Sequence, residues 1–411
     1  MCIIIIDDFT FSWGPPPPGS EKGELMAGII TTIINVRAVL DGKVRGCNLR
    51  ISEGRIQGIL PPGDAYGRVI DGHGMLGIPG LIDAHFQGAM GLSFGTVTEA
   101  REVRILRDFC VAHGVTSFLP TIPAGPEEDM LEAAAAIGSA KRQLNCPQIA
   151  GIHLEGPFLA DGWQEQGVSP QYLRQPSYAV FRRIQDISGG IVTRVTLSPE
   201  LPGAAELTRR LASDGVRVFL GHSGATYEQT MDCIKAGAMG ITHLFHCTAP
   251  MSSEEPGLVA AALEQQDLFC EVLCDSVPAP LLRLLLNTKG VTRTCAATGC
   301  IFPTGQPEGL YQVGGRSAVL RDDQLTFLDD GQQAGSVITA EEGLLNLSQV
   351  TGLSFAQCLP LFSDTPARML GLAHRKGSLE VGKDADIVFL DKGNRVRLTI
   401  CQGNIVYDSA G

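Results

Sequence analysis

The run Val216-Arg-Val-Phe-Leu-Gly-His-Ser-Gly-Ala-Thr-Tyr-Glu-Gln-Thr-Met-Asp-Cys-Ile-Lys-Ala-Gly-Ala-Met-Gly-Ile-Thr-His-Leu244 decides the fold. Val216–Leu220 is a short apolar run. Thr226 and Gln229 have the spacing of a capping box, in which two side chains satisfy the orphan amides of a helix start. Tyr227–Ala236 then follows helical periodicity, and Ile241–Leu244 is a second apolar run. Apolar strand, helix and apolar strand in succession make a parallel pair whose faces are both covered.

The same rhythm extends in both directions. Apolar runs recur at Leu81–Ala84, Thr116–Leu119, Ile149–His153, Val192–Leu197, Phe269–Leu273 and Thr294–Ala297, with helical stretches such as Glu99–Ala112 and Glu127–Ala140 between them. Eight strands point to a closed (β/α)8 TIM barrel, an α/β fold, with an open doubly wound sheet as the alternative. Thr339 with Glu342 and Ser354 with Gln357 predict capped helices after the eighth strand. Both ends of the chain read differently. Asp41-Gly42, Glu53-Gly54, Lys392-Gly393 and Gln402-Gly403 punctuate short alternating strands as hairpin turns. The expected arrangement is a small β-sandwich domain from residues 29–78 and 376–411, with the barrel over 79–375. Residues 1–28, with Pro15–Pro18, read as a flexible extension. Met26 is an alternative start, and Ile3–Ile6 is too short for a signal-peptide core.

Composition limits the function classes. The chain has 411 residues, 44% hydrophobic and 18% charged, and a net charge of -12, which argues against nucleic acid or an anionic membrane as partner. No segment reaches the roughly 18 apolar residues of a membrane span. The 12 cysteines are scattered without a CxxC pair, as expected for reduced thiols of a cytoplasmic protein.

Barrel active sites form at the carboxyl ends of the strands. His85 follows strand one, Glu155 strand three and His222 strand five, while His243 lies near the end of strand six. Only eight histidines exist, so three on strand ends is a concentration. A single histidine there is ordinarily a hydrogen-bonded core residue, and Glu155 before Gly156-Pro157 could cap a turn. Together, one glutamate and two histidines suit a catalytic zinc or similar divalent ion with a position open for water. Ser223, Gly224 and Thr226 read as an ordinary helix start or a weak anion cradle.

The segments Ile78–Asp83, Gly151–Phe158, Gly221–Thr226, Thr242–Phe245, Glu254–Leu258, Pro366–Arg368 and Gly382–Val388 resemble N-acetylglucosamine-6-phosphate deacetylases, in order, from about residue 30 to 408. Gly151–Phe158 is the most specific of them. The resemblance implies that Glu155, His222 and His243 ligate one divalent ion; the donor set suits zinc, iron or cobalt about equally, and zinc is the expectation. It also implies a small-molecule substrate and a homodimer.

Departures from the pattern are specific. Gly299 stands where the resemblance places an aspartate that handles the proton of the activated water, a role usually contributing about 10²–10⁴-fold in rate. Pro278 replaces a carbonyl-polarising histidine, although Asp275 is kept. Glu254 replaces a phosphate-binding arginine, a repulsive exchange for a phosphate dianion. His246 replaces an asparagine, Cys247-Thr248 a pair of small residues, and His85-Phe-Gln87 is half of a His-x-His. His246, Asp275 and His85 are therefore the candidates for proton work. Gln87, His246, Cys247 and Glu254 are candidates for substrate contact. The expected function is metal-dependent amide hydrolysis of an N-acetylated amino sugar or a related compound. The alternatives are a repurposed lyase, isomerase or cyclase on a non-phosphorylated substrate, with Cys247 or Cys300 as nucleophile, and a non-catalytic homologue.

Overall fold

The computed structural model describes residues 30–163 and 168–410. The expectations for residues 1–28 lie outside the described residues. Eight parallel strands form the central sheet: β1 (Leu81–Phe86), β2 (Val115–Pro123), β3 (Ile152–Glu155), β4 (Val192–Leu197), β5 (Arg217–Leu220), β6 (Gly240–Ile241), β7 (Phe269–Leu273) and β8 (Thr294–Ala297). Each pairs with the next in chain order. Every residue of β1, β3, β7 and β8 is buried, which is why these strands read as unbroken apolar runs.

The seam between β8 and β1 is closed by the loop after β8. Gly299 N donates to His85 O at 3.0 Å, and Gln87 N and Gly88 N donate to Cys300 O at 3.1 and 3.0 Å. Thr298 Oγ1 donates to Asp83 Oδ2 at 2.5 Å. The fold is thus the predicted barrel. Strand six is shorter than its apolar run suggests. It stops at Ile241, and the chain then turns through His243 and Phe245 with φ of 30° and 77°.

Helices α1 (Ala100–Ala112), α2 (Glu127–Gln143), α3 (Tyr178–Ser188), α4 (Ala204–Ser213), α5 (Tyr227–Lys235), α6 (Gly257–Glu264), α7 (Ala279–Lys289) and α8 (Ala340–Thr351) accompany the strands. Their apolar stripes face inward, as with Phe181 and Ile184 of α3 and Leu207 and Leu211 of α4. Burying each such side chain contributes about 1.5–3 kcal/mol relative to exposure. The predicted capping boxes form at Thr226, Thr339 and Ser354.

Both terminal regions enter one eight-stranded sheet. Thr31–Leu40, Lys43–Ser52, Arg55–Leu60, Arg68–Asp71 and Leu76–Pro79 join Ile387–Leu390, Val396–Cys401 and Asn404–Asp408. Antiparallel pairing of Pro79 with Ile387 ties the two ends of the chain together. Asp41-Gly42 and Gln402-Gly403 have positive φ at both positions, as two-residue hairpin loops require.

One element departs from expectation. Between β8 and α8 lies a four-stranded antiparallel meander of Gly309–Val313, Arg316–Arg321, Gln324–Phe327 and Gln333–Gly335. It has a small core of its own around Leu320, Leu325 and Phe327. Among the described residues no helix is long and apolar enough to cross a membrane.

Candidate metal centre and active site

Three strands deliver three donors to one point at the carboxyl rim. Glu155 is the last residue of β3, and His222 and His243 lie two residues beyond β5 and β6. His222 Nε2 is 3.0 Å from Glu155 Oε1, and His243 Nε2 is 3.2 Å from the same oxygen. The two ring nitrogens are 2.9 Å apart. All three side chains are buried. His222 has φ 51° and His243 φ 30°, a region that costs a non-glycine residue strain and that clusters at functional sites.

The opposite ring nitrogens explain what the cluster can hold. His222 Nδ1 lies 3.1 Å from the Trp163 carbonyl and His243 Nδ1 3.1 Å from the His246 carbonyl. A carbonyl only accepts, so each Nδ1 carries the proton and donates it. Each neutral imidazole then presents an Nε2 lone pair to the other and to a carboxylate oxygen. Three electron-rich atoms facing one another call for a cation, and backbone carbonyls behind ligand histidines are the usual way to fix that tautomer. Without one, protons serve. Burial opposes charge on His222, but contacts with the Cys247 thiol and Glu155 hold its pKa well above the ordinary value. The donor set therefore fits a divalent metal ion.

Glu155 divides its two oxygens. Oε1 faces the histidines, while Oε2 accepts from Gln87 Nε2 at 2.8 Å and meets His85 Nε2 at 3.1 Å. The other His85 nitrogen is 2.9 Å from Glu271 Oε1. Burial would lower the His85 pKa, but the carboxylates on either side push it up to about 10. Glu271 is paired in turn with the fully buried Arg194 and accepts from the backbone N–H of His243 at 3.3 Å. Arg194 also donates to Ala84 O at 3.1 Å and to Thr242 Oγ1 at 3.0 Å, and lies 4.2 Å over the Phe219 ring. His153 sits between Thr121 Oγ1 at 3.1 Å and Thr196 Oγ1 at 2.8 Å. Burial, with Arg194 and His85 nearby, holds it well below its ordinary pKa.

A cavity of about 720 Å³ opens beside this centre, between the barrel rim and the meander. Gln87, His246 and Cys247 line it, together with Trp163, Leu273 and Phe302. His85, Asp275 and Glu254 are absent from its described lining. His85 is enclosed between two carboxylates. Asp275 accepts from Ser276 Oγ at 2.8 Å and from Gln333 Nε2 of the meander at 3.3 Å, and burial pushes its carboxyl up. Glu254 is exposed. Gly299 lines the cavity with φ 58°, and a Cβ there would lie 2.5 Å from Leu273 Cδ2. Burial, then Asp83, pushes the buried Cys300 thiol far above its ordinary pKa, which disfavours the nucleophilic thiolate.

Sequence reasoning missed Arg194, Glu271 and the meander wall. A signal for the pair existed: each is a charged residue inside an otherwise buried parallel strand, where a charge must find a partner. The meander was signalled by Gly314-Gly315 and Asp322-Asp323, all four with positive φ.

The amidohydrolase family model matches residues 77–406, and the chain belongs to that family. Its relatives narrow the class further. The chain is 32% identical over 344 residues to the N-acetylglucosamine-6-phosphate deacetylase of Bacillus subtilis (strain 168), covering 81% of this chain and 85% of that protein. It is 30% identical to the N-acetylgalactosamine-6-phosphate deacetylase of Escherichia coli O157:H7, covering 92% and 99%. The crystal structure of N-acetylglucosamine-6-phosphate deacetylase from Pasteurella multocida superposes with a TM-score of 0.84 at 28% identity, covering 91% and 98%. The chain is a hydrolytic enzyme of the deacetylase type, acting on a carbon–nitrogen bond other than a peptide bond.

Proposed function

We propose that this enzyme removes the acetyl group from an N-acetylated amino sugar or a close relative, with Glu155, His222 and His243 holding one zinc ion. The observation that carries the reading is the pair of Nε2 atoms 2.9 Å apart beside Glu155 Oε1, with both Nδ1 protons committed to carbonyls. One carboxylate and two imidazoles are a donor set of catalytic zinc, which when bound supplies Lewis acidity toward an acyl carbonyl and toward water.

The chain's own residues then have distinct tasks. Gln87 and His85 hold Glu155 Oε2, so that one oxygen faces the ion. Trp163 walls the cavity and fixes His222 through its carbonyl. His246 is the one of the three proton-transfer candidates that lines the cavity, with its ring centroid 5.8 Å from that of His243. We assign it the proton transfer to the leaving amine. Gln87 and Cys247 contact the substrate. The free cysteines of the described residues support a reducing compartment, the cytoplasm. A homodimer rests on the resemblance to the deacetylases.

The test is acetate release from N-acetylated amino sugars by zinc-loaded protein, with Glu155→Ala as control. Turnover that falls to background in the control, together with loss of bound zinc, is expected. Equal turnover in both proteins would refute the assignment.

A further inference from the structure

We propose that the substrate carries no phosphate, and that the cavity takes a neutral N-acyl amino sugar or its glycoside. This rests on the deacetylase reading and adds what the rest of the molecule is.

The loop from β5 into α5, which carries His222, is where backbone N–H groups would be offered to an anion. In this protein they are taken by the protein's own acceptors. Gly224 N donates to Glu200 Oε1 at 2.7 Å, and Ser223 Oγ to Glu200 Oε2 at 2.8 Å. Ser223 N donates to Cys247 O at 3.0 Å, and Ala225 N to Ser223 Oγ at 2.9 Å. Thr226 N is used by Gln229 Oε1 and Tyr227 N by Glu255 Oε1, both at 2.9 Å. A phosphate arriving there would have to compete for N–H groups that Glu200, Cys247, Ser223, Gln229 and Glu255 already hold. It would also have to displace carboxylates, with Glu254 adding a further negative charge beside Glu255. Like charges brought together in this way repel, and disfavour an anionic partner.

The cavity wall agrees. Among the described residues lining it there is neither lysine nor arginine. Its polar groups include the neutral amides of Gln332 and Gln333 and the hydroxyls of Ser276 and Ser336. Such groups match the hydroxyls of a sugar, and the apolar faces of Trp163 and Phe302 suit its C–H surfaces. The volume of about 720 Å³ lies within the roughly 300–1,000 Å³ of small-molecule sites and exceeds what an acetyl group needs.

The experiment compares N-acetylglucosamine, its methyl β-glycoside and N-acetylglucosamine 6-phosphate. Acetate release and calorimetric binding are both measured with zinc-loaded protein of known metal content. We expect kcat/KM for a neutral sugar at least about ten-fold above that for the phosphorylated one. Inorganic phosphate should leave the rate on the neutral sugar unchanged. Preference for the phosphorylated sugar, or competitive inhibition by phosphate, overturns the proposal. If zinc is bound but no sugar is hydrolysed, the deacetylase reading fails and the calorimetric arm decides alone. Tighter binding of a neutral sugar then sustains the substrate class, whereas tighter binding of the phosphorylated sugar, or binding of none, overturns it.

Discussion

Glu155 meets four side chains with two oxygens, and the division between them gives His85 a role different from the catalytic one its position suggests. Its Nε2 and the Gln87 amide hold Oε2, while Glu271 holds the far side of the ring. On the proposed metal site His85 is an orienting group behind a ligand, and such partners are typically worth about 10–100-fold in metal affinity. His85→Asn should lose about that much in competition with a zinc chelator, while the rate per bound zinc keeps its pH profile. A changed profile at full metal occupancy would return His85 to the reaction itself. Asp83, two residues earlier, offers a pH test. Burial raises its pKa from the ordinary 3.8 to about 6, against the N–H and O–H groups of Thr298 and His85 that lower it. A carboxyl raised in the folded state contributes most below pH 3.8, and that contribution is lost as pH climbs through 6. Relative to Asp83→Asn, the wild type should lose about 2 kcal/mol between pH 4 and 6, and about 3 kcal/mol in all once the carboxyl is fully ionised above pH 7. Unfolding free energies of the two proteins across that range check this. At this scale the cluster of donors was legible, because Glu155, His222 and His243 fall at strand ends and the structure brings them together. Glu271 and Arg194 were not, because their partnership spans 77 positions in sequence and joins strands that are not neighbours.

Elements show why some segments read easily and others did not. The barrel strands and their helices were legible because burial on both faces makes a strand apolar throughout, while a helix keeps one stripe. Local chemistry was equally readable at α5. Thr226 and Gln229 cap each other's backbone N–H groups, at 3.2 Å for Gln229 N and 2.9 Å for Thr226 N. Thr226→Ala should cost about 1 kcal/mol in thermal unfolding. Because the cap sits four residues after His222, zinc affinity should fall with it, whereas an unchanged affinity would mean that the loop is held by Glu200 and Trp163 alone. The meander was harder, since its strands alternate between exposed and buried residues and its longest has six. Such short half-buried segments carry little apolar signal, and only the paired glycines and aspartates at its turns announce it. Strand six was overextended for the opposite reason. Thr242, His243 and Leu244 are buried, yet they belong to the turn that aims His243.

Across the whole molecule, the barrel interior is organised around a charged column rather than a purely apolar plug. Arg194 of β4 reaches Glu271 of β7, with β5 and β6 lying between those strands in the sheet. The same guanidinium binds the Ala84 carbonyl of β1 and the Thr242 hydroxyl beyond β6. One side chain thus links four of the eight strand-and-loop units, and through Glu271 it fixes the His85 ring and the His243 backbone. A buried ion pair is weak support for stability in itself, because desolvation offsets most of the attraction, but removing one partner strands a charge. Arg194→Met should therefore destabilise the protein by about 3–5 kcal/mol and weaken zinc binding. In Arg194→Met with Glu271→Met the stranded carboxylate is gone, so most of the stability should return. Zinc affinity should not, because His85 and His243 have lost the group that orients them. Denaturant unfolding combined with metal titration separates the two effects. A double variant as unstable as the single one would mean that the column is an irreplaceable part of the core. Recovery of both stability and metal affinity would mean that the metal centre is positioned by its own loops, without help from the barrel interior.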